Sequence, residues 1–399
     1  MNFSFTEEQE LFRKSVRRFC EEKIVPRADE IDDNAEIPHD LIDAMGSFGL
    51  LGITVSRDLG GAGAGFTEAA IVAEEIARAD MSMAAAVYYL VGAGWGFIID
   101  RYAGIELKKE VLPEVVKGKS FLGIASTEAK GGSDISALAT TLDMQGETLL
   151  LDGSKAYISG VREAYQNGGG FVTIAKTAPQ LAHKGLSLCY LPVKDMPGVS
   201  VSVSRQMGRE GISNGFIQMN KVALPRHYLI GEMNRGFYYA MEGFNCARTL
   251  VAAACIGAAE KALEAGMDYI RRRKAFSSQL AKFQGIQFNL AENYVKLESA
   301  RLLVYKAAWM LDMLYREKRF GNQDINKAVA AAKLSAPTAA FDIIRDVMLW
   351  HGAYGYTREA GLERGLRGVA SYIVGAEGAQ NIMKIIIGRE ILGKEFFPS

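Results

Sequence analysis

The chain has 399 residues, of which 49% are hydrophobic and 23% charged, and its 46 basic and 46 acidic side chains give a formal net charge of +0. This length suits two or three domains or one large composite fold. A neutral chain has no basic field for nucleic acid or anionic lipid, so no nucleic-acid partner is expected. The cysteines form no C-x-x-C pair, so the sequence predicts neither a disulfide framework nor a metal site, and a reducing compartment is favoured.

Residues 1–120 are predicted to form an N-terminal helical domain. Thr6-Glu-Glu-Gln9 has the pattern of a capping box, and the helical spacing of apolar residues after it ends at Pro26. Further helices are expected over 38–48, over 67–79 and from about Pro113 onward. The first residues show no signal or Arg-rich transit pattern, so a cytoplasmic location is expected.

The stretch 81–99 carries no charged side chain and is close to the length of a membrane span. It contains Gly92, Gly94 and Gly96, and acidic residues flank it. These features favour a buried helix-turn-helix over a lipid-facing helix, so no membrane span is expected.

A change of pattern near residue 120 predicts a middle β domain over 121–232. Strand-length, partly alternating segments start near residues 121, 148, 171, 186, 199 and 216. Gln145-Gly146 and Asp152-Gly153 are typical of tight turns between them. Strands at this spacing, without intervening helices, indicate an antiparallel sheet or barrel.

Residues 233–399 are predicted to form a C-terminal four-helix bundle. Long amphipathic runs cover 236–274, 283–316, 324–353 and 379–393. Pro337 falls inside the third run, where a kink or break is expected. The fold class is therefore α+β and mainly α.

A single carboxylate, Glu377, lies between small residues just before the last apolar helix. Small flanking residues let a carboxylate approach a ligand closely. The alternative is that Glu377 only stabilises the first turn of that helix through the helix dipole. The segment E-G-x-x-N-I from Glu377, with G-x-x-G-Y-T upstream at 352–357, resembles the C-terminal signature of acyl-CoA dehydrogenases.

Other segments resemble the same family in the expected order, over essentially the whole chain. Thr127-Glu-Ala-Lys-Gly-Gly-Ser133-Asp is similar to the family's T-E-x-x-x-G-S-D flavin segment. Lys155-Ala-Tyr157-Ile-Ser159 resembles the strand beside the flavin ring, and Phe244-Asn-Cys-Ala-Arg248 resembles the helix that contacts coenzyme A. The segment from Arg273 to Gln284 resembles one whose arginine holds the FAD pyrophosphate of a neighbouring subunit.

The resemblance implies FAD as cofactor and a set of residues that contact it. The implied FAD contacts are Ile124, Ser126, Thr127, Gly132, Ser133, Tyr157, Ser159, Arg273, Phe276, Phe283, Gln284, Leu349, Gly352, Ala353, Ala379 and Asn381. The implied substrate contacts are Tyr88, Val91, Trp95, Ser133, Asn245, Arg248 and Gly378. The sequence departs from the family pattern by two apparent extra residues, Gly375-Ala376, and by Ser277, Leu349, Gly368 and Ala379.

The implied reaction is α,β-dehydrogenation of an acyl-CoA, with Glu377 removing the α-proton and the hydride passing to flavin N5. Some relatives carry the base just before the CoA-contacting arginine, but that position is Ala247, which supports Glu377. Because 81–99 has no charge, an apolar short, branched or alicyclic acyl chain is expected, and a dicarboxylic one is disfavoured.

The resemblance further implies electron-transfer flavoprotein as the electron acceptor and a homotetramer with FAD at subunit contacts. Three alternatives stay open: an acyl-CoA oxidase, an enoyl-CoA reductase working in the opposite direction with electron-transfer flavoprotein, and a flavin-free scaffold of the same fold.

Overall fold

The computed structural model describes residues 4–397, with Lys394 described by its backbone alone. The outermost residues of the two predicted end domains therefore lie outside the described part, and the boundaries predicted near 120 and 232 stay predictions. Helices, a β-sheet and a second group of helices follow in that order, so the predicted fold class is confirmed.

The N-terminal part consists of helices. They are α1 (Glu7–Lys23), α2 (Ala28–Asp33), α3 (His39–Ser47), α4 (Phe66–Ala79), α5 (Ala84–Tyr102) and α6 (Ile105–Val116). The predicted capping box is present at α1, where the Thr6 hydroxyl accepts a hydrogen bond from the Gln9 N–H and the Gln9 side chain accepts from the Thr6 N–H.

Two expectations for this part are wrong. The stretch 81–99 is not a helix-turn-helix, because α5 continues through its three glycines. Gly94 lies inside α5 and faces Ala247 of α8, where an added Cβ would make ordinary van der Waals contact at 3.4 Å, so it does not mark a turn. Pro113 lies in the last turn of α6, not near its start. Among residues 4–397, every helix is too short or too polar to cross a bilayer.

The middle part is one sheet with a helix inserted. Its elements are β1 (Phe121–Ala125), β2 (Thr141–Gln145), β3 (Thr148–Ser159), α7 (Val161–Asn167), β4 (Gly169–Lys176), β5 (Leu186–Pro192), β6 (Val199–Ser204), β7 (Asn214–Pro225) and β8 (Leu229–Ile230). The strand order is β6-β7-β3-β2-β4-β5-β8, with β1 paired to β4, and the sheet is not closed into a barrel.

Details of the sheet differ from the sequence-based prediction. The β1–β4 pairing is parallel, and α7 interrupts a region predicted to lack helices. Gln145-Gly146 forms the predicted turn between β2 and β3. Asp152-Gly153 does not turn the chain, because β3 runs through it with a bulge against β7 at a left-handed Gly153 (φ 139°).

The C-terminal part contains α8 (Gly236–Arg272), the short hairpin strands β9 (Lys274–Ala275) and β10 (Ser278–Gln279), α9 (Gln284–Glu317), α10 (Asn322–His351), α11 (Leu362–Val374) and α12 (Gln380–Leu392). The four predicted runs correspond to α8, α9, α10 and α12, whereas α11 was not predicted. The helix α10 is not broken at Pro337.

Buried polar contacts join the N-terminal helices to the C-terminal ones. The carboxylate of Glu74 on α4 accepts hydrogen bonds from Arg301 Nη2 at 3.1 Å and from the Tyr305 hydroxyl, both on α9. Asp312 on α9 caps α4 from outside, because its carboxylate accepts from the N–H groups of Phe66 (2.5 Å) and Thr67 (3.0 Å).

We expect Asp312→Ala to lower the free energy of unfolding by about 2 kcal/mol, since it leaves buried N–H groups at the start of α4 without acceptors. Urea unfolding of the variant and of the wild type measures this difference. The control is Asp268→Ala, which removes an exposed carboxylate from α8. Equal stability of the two variants would contradict the capping role.

Candidate active site

One cavity of about 720 Å³ lies where the three parts of the chain meet, and we call it the central cavity. Its walls come from α5, the ends of β1 and β3, the loop between β6 and β7, α8, and the segment that joins α11 to α12. Its size suits a drug-sized ligand or larger.

Glu377 lies in the wall of the central cavity, on the segment between α11 and α12. Ala376, Glu377 and Gly378 all have left-handed backbone conformations, with φ of 48°, 59° and 110°. Such a conformation is unfavourable for the two residues that carry a Cβ, and it persists only where surrounding contacts hold it. Glu377 lies two residues before the N-cap residue Ala379, outside the first turn of α12.

The contacts that hold this turn come from Lys333, a fully buried residue on α10. Its ammonium group donates to the carbonyl oxygens of Tyr372 (2.6 Å), Gly375 (3.1 Å) and Gly378 (2.6 Å). Three donors of one ammonium thus satisfy three acceptors of an irregular segment. Burial lowers the pKa of Lys333 to about 8, partly offset by Cys255 and Glu377.

Arg248 on α8 holds the same turn from another side. Its Nε donates to the Glu377 carbonyl oxygen at 2.7 Å, and Nη1 donates to Asn245 Oδ1 at 3.3 Å. The guanidinium also lies over the Phe244 ring, 5.5 Å from its centroid. Burial lowers the pKa of Arg248 to about 10, partly offset by the charge of Glu377.

Two opposing effects act on the pKa of the Glu377 carboxyl. Burial raises its pKa above the ordinary value, while the charges of Arg248, Lys333 and Arg209 work in the other direction. A carboxyl with a raised pKa in a cavity is suited to accept a proton near neutral pH.

Another part of the cavity wall carries hydroxyl groups and turn backbone. Ile124, Ser126, Thr127, Gly132, Ser133, Tyr157 and Ser159 all line the central cavity. The Glu128 carboxylate holds the loop after β1 by accepting from the Ala139 N–H (2.7 Å), the Thr140 N–H (3.0 Å) and the buried Lys155 ammonium (3.1 Å). Asn214 Oδ1 lies at this wall, buried and without a hydrogen-bond partner among the described residues.

This wall fits a polar, planar ligand such as a flavin. It offers hydroxyl donors, turn N–H groups, an orphaned amide oxygen and the half-exposed ring of Tyr157, whose φ is 59°. Within the described part, no cluster of three His, Cys, Asp or Glu side chains could hold a metal ion.

The other predicted site residues lie in three places. Val91, Arg248, Gly378 and Ala379 also line the central cavity. Tyr88, Trp95 and Asn245 are buried behind its wall, with Trp95 fully buried against Phe244 and Tyr88 against Phe121. Eight predicted FAD contacts are exposed elsewhere on the surface: Arg273, Phe276, Phe283, Gln284, Leu349, Gly352, Ala353 and Asn381. The roles of all these residues stay predictions.

The sequence-based prediction gave no site role to Lys333 or to several polar residues of the cavity wall, which are Gln206, Arg209, Asn214, Arg367, Ser371 and Tyr372. Arg209 belongs to the segment Arg209-Glu-Gly211, which follows the family's pattern, but that resemblance implied no role for its side chain. One sequence feature could have identified Lys333 as a buried functional residue. It is a lone cation in the otherwise apolar run Ala330-Ala-Ala-Lys333-Leu.

Comparisons with known proteins cover the whole chain. Three family profiles match it: "Acyl-CoA dehydrogenase, N-terminal domain" at 6–119, "Acyl-CoA dehydrogenase, middle domain" at 123–222 and "Acyl-CoA dehydrogenase, C-terminal domain" at 234–392.

Among characterised relatives, a 3-(aryl)acrylate reductase of Clostridium sporogenes is 33% identical, covering 97% of this chain and 99% of the relative. The caffeyl-CoA reductase-Etf complex subunit CarC of Acetobacterium woodii is 32% identical, covering 98% and 100%. The solved structure of a glutaryl-coenzyme A dehydrogenase in complex with glutaryl-CoA superimposes with a TM-score of 0.91 at 30% identity, covering 98% of this chain and 97% of that one.

We expect Lys333→Met to raise the pKa of Glu377 further, because it removes a cation that lowers that pKa while burial remains. Isotope-edited infrared titration of the Glu377 carboxyl, assigned by its loss in Glu377→Gln, measures the shift. Lys333→Arg keeps the charge and should leave the pKa near that of the wild type. Lys327→Met, on the exposed side of α10, is the control. An unchanged pKa in Lys333→Met would rule out this electrostatic role.

Proposed function

The chain belongs to the acyl-CoA dehydrogenase family, and we propose that it catalyses α,β-dehydrogenation of an acyl-CoA thioester with Glu377 as the base. Membership makes it an FAD-dependent oxidoreductase. The observation that carries the proposal is the position of Glu377, whose half-buried side chain lines the same central cavity as the hydroxyl groups at the end of the sheet.

The residues in and around the cavity have different roles in the proposed reaction. Glu377 accepts the α-proton, and its raised pKa brings its proton affinity closer to neutral pH. Lys333 and Arg248 fix the turn that aims it. Ser126, Thr127, Ser133 and Ser159 are the groups that would hold FAD in the same cavity. When bound, FAD would supply the acceptor for the hydride that leaves the β-carbon.

The identity of the residue at position 247 supports Glu377 as the base. Ala247 is buried on α8 and has no group that could accept a proton. Among the described residues that line the central cavity, Glu377 alone carries a carboxylate.

We infer that the acyl chain is apolar where it passes α5. The wall there consists of Val87, Leu90 and Val91, and Val251 of α8 also lines the cavity. Short, branched and alicyclic chains all fit an aliphatic wall of this kind.

A second candidate function is the reverse reaction, reduction of an enoyl-CoA. The names of two relatives, an arylacrylate reductase and a caffeyl-CoA reductase subunit, favour it. Both directions use the same residues, because Glu377 would then return the proton to the α-carbon. The CarC relative, named as part of an Etf complex, also supports electron-transfer flavoprotein as the redox partner.

A homotetramer accounts for the predicted FAD contacts that lie outside the central cavity. Phe276 is 96% exposed with a left-handed φ of 50°, and Leu349 is 71% exposed. Apolar side chains this exposed are typical of surfaces that a partner covers. We therefore propose that these residues contact the FAD of a neighbouring copy. A cytoplasmic location stays a prediction.

We expect Glu377→Gln to slow flavin bleaching by acyl-CoA at least about a hundredfold under anaerobic conditions, since it removes the base. Stopped-flow absorbance of the holoenzyme with a panel of thioesters measures the rate, and reduced enzyme mixed with enoyl-CoA tests the opposite direction. Glu8→Gln, on the exposed face of α1, is the matched control. Bleaching at the wild-type rate in Glu377→Gln would show that another group takes the proton.

The native mass of the purified yellow protein is expected to be that of four chains. Arg273→Ala should lower the amount of FAD bound per chain while the protein stays folded. The variant removes the exposed guanidinium that binds the cofactor pyrophosphate of a neighbouring copy in the proposed tetramer. Mass photometry and flavin absorbance measure both quantities. A monomer with full flavin would contradict the shared site.

A further inference from the structure

Arg209 lies in the loop between β6 and β7 and lines the central cavity. Its backbone is left-handed, with φ of 62°, and its Nε is buried without a hydrogen-bond partner among the described residues. Within residues 4–397 its guanidinium forms no ion pair: every carboxylate lies more than 4.0 Å from its nitrogens. The charge of Arg209 acts on Glu377 from beyond ion-pair distance, so the partly buried guanidinium has no anion in direct contact to offset its desolvation.

A second polar group beside Arg209 also lacks a partner. Tyr372 on α11 is 1% exposed, lines the same cavity, and its hydroxyl has no hydrogen-bond partner in the described chain. The guanidinium carbon of Arg209 lies 5.6 Å from the centroid of the Tyr372 ring. Burial raises the pKa of Tyr372 and the neighbouring Arg209 works in the other direction, so the phenol and the guanidinium lie close enough to bind one polar ligand group together.

The other two arginines of the cavity are already engaged. Arg248 donates to the Glu377 carbonyl and to Asn245. Arg367 pairs with Asp32 at 2.7 Å, with Glu363 at 2.5 Å and with Glu210 at 3.8 Å. Of the three, Arg209 is therefore the cation that remains available to an anionic ligand.

The position of the Arg209 loop relates it to the acyl end of the cavity. A Cβ at Gly211, two residues on, would lie 2.8 Å from the Cβ of Ala84, the first residue of α5. The aliphatic wall formed by Val87, Leu90 and Val91 begins one turn further along the same helix. A chain that passes this wall toward the start of α5 would approach the Arg209 loop.

We propose that Arg209 and Tyr372 bind a carboxylate at the far end of the substrate's acyl chain. The guanidinium offers paired N–H donors to the two carboxylate oxygens, and the phenol adds a third donor. This inference rests on the proposed function for the reaction and names its substrate class. The absence of charge in 81–99 argues against a dicarboxylic chain only if α5 supplies the whole acyl wall, whereas here the cation comes from a loop more than a hundred residues away.

The test compares dicarboxylyl-CoA thioesters of increasing length with branched acyl-CoA thioesters of equal length, in which two methyl groups replace the two carboxylate oxygens. Binding to the FAD holoenzyme is measured by calorimetry, and flavin bleaching is measured separately. The wild type should bind the best dicarboxylyl-CoA at least about tenfold more tightly than its branched counterpart. Arg209→Met should abolish or reverse this preference.

Two further variants separate the roles. Tyr372→Phe removes only the hydroxyl and should weaken the preference less than Arg209→Met does. Arg205→Met, in the same loop but exposed and outside the cavity, should behave as the wild type. If the wild type prefers the branched thioester at every length, or if Arg209→Met keeps the wild-type preference, the proposal is overturned.

The outcomes also distinguish this proposal from the proposed reaction and from two other roles of Arg209. A carboxylate preference in binding without bleaching by any thioester would support Arg209 and reject the dehydrogenation. Loss of FAD or a changed flavin spectrum in Arg209→Met, with the preference intact, would assign the arginine to the cofactor and overturn the proposal. A shift only in the pH dependence of bleaching would assign it to Glu377 as a counter-charge and overturn it equally.

Discussion

The ammonium group of Lys333 is the contact on which the geometry of the cavity depends. The segment between α11 and α12 has no regular hydrogen bonding of its own, yet it carries two non-glycine residues in left-handed conformations. Lys333 compensates by donating to two carbonyl oxygens of this segment, at Gly375 and Gly378, and to Tyr372 in the last turn of α11, while Arg248 donates to the Glu377 carbonyl. Because the cost of burying the ammonium is offset only when all three acceptors are in place, the turn and the lysine stabilise each other.

The sequence predicted the order of the three parts and most element positions, because periodicity and caps are local signals. The capping box at Thr6 and the strand patterns of the middle part are examples. It failed where packing overrides local preference. The glycines of α5 predict a turn, yet the helix runs through them. Asp152-Gly153 predicts a turn, yet it forms a bulge inside a long strand.

The prediction of site residues also succeeded for local sequence signals and failed for contacts that form only in the folded protein. Motif residues such as Thr127, Ser159 and Glu377 could be named from their neighbours in sequence, and the fold brings them to one cavity. Lys333 could not be named in this way, and Arg209 could be named from its segment but not given a role, since each acts on residues far away along the chain. Lys333 contacts a carbonyl 45 positions later, and Arg209 meets Tyr372 only after the helical part has packed on the sheet. Contacts of this kind depend on tertiary structure and have no local pattern.

The hydrogen bonds that Lys333 and Arg248 donate to the turn around Glu377 have an evolutionary consequence, because their acceptors in that turn are backbone carbonyl oxygens. A carbonyl oxygen is the same whichever side chain its residue carries, so mutations around Glu377 leave the acceptors unchanged. Even the two apparent extra residues, Gly375 and Ala376, are accommodated, and Gly375 itself supplies one of the acceptors. Apart from Gly378, whose φ of 110° favours glycine, the flanks of the base can therefore diverge and reshape the pocket while the backbone at Glu377 keeps its hydrogen bonds. Sequence divergence in this segment is therefore a poor indicator of lost activity, whereas substitution of Lys333 is a better one.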